Sequence, residues 1–127
     1  MQTYFLAAAV VTVLVGVVHS ILGEILIFQK LRKGGVVPKE PAPPLQARNI
    51  RILWATWHLA SVFGFGFAGI LLSLGSRNSA PEPTVTNALL FAFVAGSALV
   101  LVATRGKHPG WAGLLLVAVL IHLGRAA

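Results

Sequence analysis

Cysteine is missing from all 127 residues, which excludes disulfide bonds, thiolate metal sites and cysteine redox chemistry. Acidic side chains are almost missing too: three Asp and Glu face ten Lys and Arg, for a net charge of +7. Charged residues make up only 10% of the chain and hydrophobic residues 57%. A water-soluble domain of this length could not bury that much apolar surface; a bilayer can solvate it. A basic balance of this kind would suit nucleic acid, but the Lys and Arg gather in short stretches beside apolar runs, where positive charge sets membrane orientation. The sequence therefore implies no nucleic-acid partner. A P-loop, a dinucleotide fingerprint and a nucleophile with an adjacent base are likewise missing.

What the chain does contain is long apolar runs, with a mean hydropathy of +0.85. The run Ile50 to Leu74 holds two of the three tryptophans, an internal histidine and several small residues. About 20 apolar residues cross a hydrocarbon core of roughly 30 Å as a helix. The same reading applied along the chain gives an all-α integral membrane protein, an up-down bundle of four transmembrane helices forming a single domain. Spans are expected at about 4–30, 48–74, 84–104 and 109–124. The N-terminal residues lack the positive charge of a secretory signal, and the apolar run behind them is too long for one, so this run is expected to be the first span. The first helix is expected to end at the basic residues Lys30, Arg32 and Lys33 with a glycine cap at Gly34 and Gly35. Four of the seven prolines follow in 36–44, and Pro43 or Pro44 is expected to start the second helix, which Gly75 closes. Pro109 is expected to open the fourth, short helix.

Eight of the ten basic residues fall in the stretch from Lys30 to Arg51 or at Arg105 and Lys107, whereas Arg77 and Arg125 fall on the other side. The positive-inside rule then places loops 31–47 and 105–108 in the cytoplasm and both termini outside. Trp54, Trp57 and Trp111 are expected at the cytoplasmic interface, and Tyr4 with Phe5 at the outer one, as aromatic belts. Small residues at a spacing of four, namely Ala60, Gly64 and Ala68, then Ala88, Ala92 and Gly96, and Gly16 with Ser20 and Gly23, are expected to mark close helix approach.

Ionisable residues inside spans are costly unless paired and face the protein interior. Helical spacing brings His19, Ser20, Glu24, Arg48, Arg51 and His58 into one candidate polar cluster on the first two helices. His122 and His108 stand apart from it, near a helix end and an interface. Several chemistries suit the cluster. In the first, Glu24 pairs with Arg48 or Arg51 and His58 or His19 bonds a serine or a carbonyl, so that the cluster is a structural clasp. In the second, His19 and His58 are axial ligands of a b-type haem, with Gly16 and Gly23 making room and Arg48 or Arg51 meeting the propionates. A metal held by His19, Glu24 and His58 fits by ligand type, without a supporting spacing on one helix. In the last, Glu24, the acidic residue inside a span, couples transport to protons, as in small four-span exporters of similar size.

The stretches His19-Ser20-Ile21-Leu22-Gly23-Glu24 and Trp57-His58-Leu59-Ala60-Ser61-Val62 resemble those of small four-span bacterial inner-membrane proteins. The resemblance implies that His19, Glu24 and His58 belong together and implies no reaction. The expectation is an inner-membrane protein acting as an accessory or structural subunit of a larger assembly, or as a homo-oligomer, with lipid and a protein partner or its own copies as neighbours. A membrane electron carrier and a proton-coupled transporter are the alternatives.

Overall fold

The computed structural model describes residues 2–77 and 80–127. Asn78 and Ser79, inside the loop expected between the second and third spans, lie outside the described residues, as does Met1. Among the described residues there are four α-helices and no strand: α1 (Gln2–Leu26), α2 (Ala47–Ser76), α3 (Pro83–Ala103) and α4 (Gly110–Ala126). A short 3-10 turn at Phe28–Leu31 follows α1. The helices α1, α2 and α3 are long and apolar enough to cross a membrane. The helix α4 has 17 residues, about 26 Å at 1.5 Å per residue.

The helix ends depart from the sequence expectation for identifiable reasons. Helix α1 stops at Leu26 because Ile27 leaves the helical region (φ −121°, ψ −68°); Gly34 and Gly35 do not cap it but lie in the following loop with φ of 114° and 77°. The start of α2 is not Pro43 or Pro44. Those residues form a turn in which Ala42 and Leu45 exchange backbone hydrogen bonds of 3.1 and 2.7 Å, and the helix begins after it at Ala47. Helix α3 starts with Pro83 at its first turn, capped by Glu82, whose carboxylate accepts from the Thr84 and Val85 amides at 3.0 and 2.8 Å. This is ordinary N-terminal capping, in which a side-chain oxygen satisfies amides that have no intrahelical partner. Pro109 precedes α4 rather than opening it.

The chain divides into two compact units, the described residues of Met1–Val15 with Gly64–Ala127, and Gly16–Phe63. The first unit is packed by apolar side chains. Phe5, Leu71, Val117 and Ile121 are fully buried there, beside Leu89 and Phe93, and Phe67 meets Phe93 edge to face at 5.9 Å. Helices α3 and α4 run antiparallel: Ser97 Oγ donates to the Trp111 carbonyl at 2.8 Å, and Arg125 donates to the Asn87 side-chain oxygen at 2.7 Å.

Two expectations are corrected in this unit. Phe5 belongs to the core and not to an aromatic belt, because Gly124 leaves room for it: a Cβ on Gly124 would stand 3.1 Å from the Phe5 ring. The small-residue strips mark packing only in part: Ala68 is buried and a Cβ on Gly96 would meet Leu114 at 3.6 Å, but nothing lies within 4 Å of a Cβ on Gly64, so that part of α2 is open, and close approach falls also on Gly124 and on Gly75, which meets Leu6.

The amides of Thr84 and then Val85 hold the Glu82 carboxyl below the usual glutamate value. A group whose folded value is depressed lends stability above its unfolded value and loses it as pH falls through the folded one. Protection of the Thr84 and Val85 amides against hydrogen exchange, corrected for intrinsic rate, should therefore fall on acidification in the parent chain. In Glu82→Gln that protection should be lower at neutral pH and insensitive to acidification; a pH-dependent response there would refute the capping account.

Candidate functional site

While Tyr4, His108, Trp111 and His122 belong to the first unit, the second contains every residue of the candidate polar cluster. It is built from the end of α1, the 3-10 turn, the basic loop and the first half of α2, and its organisation follows from helical periodicity. Residues four apart on a helix share a face, so α1 presents two adjacent rows, His19 with Gly23 and Ser20 with Glu24. Consecutive residues of α2 engage one row each.

Trp57 takes the first row. Its indole stacks on the His19 imidazole, with centroids 4.4 Å apart and planes within 6°, and its Nε1 donates to the His19 carbonyl at 3.0 Å. That approach requires glycine at 23, since a Cβ there would lie 2.6 Å from Trp57 Cε2 and closer still to Nε1. Phe28, buried at the start of the 3-10 turn, closes the stack edge-on at 5.9 Å.

His58 takes the second row. Its Nδ1 is hydrogen-bonded to Ser20 Oγ at 2.9 Å, and Ser20 Oγ is bonded in turn to Ser61 Oγ at 2.8 Å. Its Nε2 lies 3.0 Å from Glu24 Oε1. An ionised carboxylate can only accept, so His58 donates from Nε2. The same Glu24 oxygen accepts from Trp54 Nε1 at 2.6 Å, and the other forms an ion pair with Arg32. Trp54, His58 and Ser61 therefore form one polar stripe on α2 at the i, i+4, i+7 positions of a helix face.

The structure brings together His19, Ser20, Glu24 and His58. It does not bring Arg48 or Arg51 to Glu24; both are exposed, and Arg32 forms the ion pair instead. On a continuous α-helix a residue eight positions on would stand about 12 Å up the axis. The break at Ile27, the 3-10 turn and the extended backbone of Arg32 (φ −134°, ψ 140°) fold the guanidinium back to the carboxylate. Its Nε is buried without a partner among the described residues. Trp54 and Trp57 spend their N–H groups inside the unit rather than on a headgroup. Sequence reasoning missed Arg32, Trp54 as a donor and Ser61. For the last two the signal was their spacing around His58; for Arg32 none existed before the helix break was known.

Serine, imidazole and carboxylate are linked here in the order of a hydrolytic triad, yet such chemistry also needs donors for a developing oxyanion. The backbone amides around Ser20 are spent inside α1, and its hydroxyl is shared with Ser61. Both His58 nitrogens are engaged and His19 lies flat on an indole, which does not fit axial ligation of a haem. No group of three or more metal-ligating side chains occurs among the described residues. Beside the stack lies an open, mainly apolar groove of about 390 Å³, bordered by Ile27 and Phe28 on one side and by Leu53, Thr56 and Ala60 on the other.

No family model matches the chain, and no curated protein or solved structure matches it either.

Side chains of Glu24, His58 and Arg32 retain 30%, 24% and 20% exposure. Polar pairs between membrane helices are worth roughly 0.6–2 kcal/mol, and the partly exposed clasp belongs in that range. Arg32→Gln should lower unfolding free energy in detergent by about 1–2 kcal/mol, whereas Arg48→Gln and Arg51→Gln should stay within about 0.5 kcal/mol of the parent. Equal effects at all of these positions would contradict the assigned ion pair.

Proposed function

We propose that this chain is an integral protein of a bacterial inner membrane with four spans and both termini outside, acting as an accessory or structural subunit of a membrane assembly or as a homo-oligomer. The observation that carries this reading is how the polar cluster is spent: carboxylate, imidazole and indole groups bond one another and hold the unit closed. A coupling carboxylate for transport would have to release its donors during each cycle, and Glu24 holds an arginine, a tryptophan and a histidine at once.

Exposed apolar surface supports the rest. Phe91, Leu99 and Val102 on α3 are 75%, 71% and 77% exposed, and with Val94, Ala95 and Ala98 they form one stripe along the helix. Such a stripe is covered by lipid or by a neighbouring chain. The charge distribution supports the orientation, with the basic stretch around loop 31–47 facing the cytoplasm.

The chain's lack of cysteine makes one experiment decisive. Ala127→Cys and Lys39→Cys, each labelled in intact cells with a membrane-impermeant maleimide, should react and stay silent respectively. The same preparations, drawn into lipid nanodiscs without detergent, should give native masses of more than one protein chain. The reverse labelling pattern, or a uniform single chain of 13.4 kDa, would overturn the orientation or the assembly reading.

A further inference from the structure

We infer that the groove of the second unit is a binding site for an anionic phospholipid, with an acyl chain along its apolar walls and the phosphate at the mouth beside Lys30. The inference rests on the membrane embedding in the reading above, and not on its orientation or assembly. The groove runs from the helix ends inward, since Ile27, Phe28 and Leu53 lie near the ends of their helices and His19 and Ala60 lie deeper along them. Its walls are aliphatic and aromatic. The Thr56 hydroxyl does not make the interior polar, because it donates back to the Ile52 and Leu53 carbonyls at 2.9 and 3.1 Å.

The mouth is different. The Lys30 amide bonds the Ile27 carbonyl at 3.3 Å, which sets Lys30 one short turn beyond Ile27, past the outer end of the slot. On α2, Asn49 continues the Leu53, Thr56 and Ala60 row one turn outward. A cation and an amide thus flank the outer end of an apolar slot.

Charge complementarity selects the occupant. Among the described residues, Arg32 is neutralised by Glu24 and Lys33 by Glu40 at 3.1 Å. Lys30, Lys39, Arg48 and Arg51 have no acidic partner, and all four are exposed. Juxtamembrane cations attract anionic headgroups, and an apolar slot leading away from them suits an acyl chain and not a soluble anion. A zwitterionic lipid would fill the slot without meeting the uncompensated charge.

Trp57 borders the groove, and with Trp111 replaced it reports together with Trp54, one turn away on the same helix. In vesicles, a Trp111→Phe version of the full chain would be titrated with lipid carrying brominated acyl chains, as phosphatidylglycerol in one series and phosphatidylcholine in the other. Half-maximal quenching should need at least fivefold less of the anionic lipid, the scale of about one headgroup-attracting cation. Lys30→Gln should reduce that preference about fivefold, and Ala60→Phe, which fills the groove from an exposed position, should abolish it while helical circular dichroism is unchanged. Equal quenching by both lipids, a preference indifferent to Lys30→Gln, or one that survives Ala60→Phe would each overturn the site. Reversal of quenching by soluble glycerol phosphate alone would overturn the role of the acyl chain. A chain found single in nanodiscs would sink the assembly reading and leave this result standing.

Discussion

Glu24 lies in the last turn of a mostly apolar helix, where the helix dipole already disfavours negative charge. A carboxylate in that position, in a helix long and apolar enough to cross a membrane, persists only if donors reach it from elsewhere. The second unit is arranged to deliver them. The indole of Trp54 and the imidazole of His58 come from α2, and the guanidinium of Arg32 comes from the chain just beyond the 3-10 turn. The break in α1 at Ile27, the inward turn of Phe28 and the register of α2 against α1 are all consistent with that need.

The two units are therefore held by different physics. In the first, Phe5 fits against Gly124 and Leu71, Val117 and Ile121 close the space around it. Dispersion and shape do that work, and a change of volume would disturb it. In the second, ring stacking and charge-assisted hydrogen bonds set the register. Because Trp57 and His58 are consecutive, they fix both the rotation and the height of α2: sliding by one residue would leave Glu24 without its imidazole and carry the Trp57 indole off Gly23, the residue that admits it.

Periodicity carried most of what could be read in advance. Apolar runs of the right length located all four helices, and the spacing of His19, Ser20, Glu24 and His58 was enough to bring them into one cluster. What could not be read was anything that depended on where regular structure stops. Arg32 lies eight residues from Glu24, about 12 Å along a continuing helix, so Arg48 and Arg51 are the natural partners on regular geometry, and the break at Ile27 reverses that choice. Pro43 and Pro44 were open to the same ambiguity, since proline serves both a first helical turn and a chain reversal. Phe5 could not be assigned to core or interface from sequence, because the choice rests on a glycine more than a hundred residues away. Glu82 is legible as a cap, since a carboxylate directly before Pro83 stands where the first helical amides lack an acceptor.

In the second unit one carboxylate ties together groups from separate segments. A double-mutant cycle between Glu24→Gln and Trp54→Phe, read from reversible unfolding in detergent, measures that tie without assuming the value of either group alone. A coupling on the order of 1 kcal/mol is expected. Strict additivity of the two substitutions would contradict it.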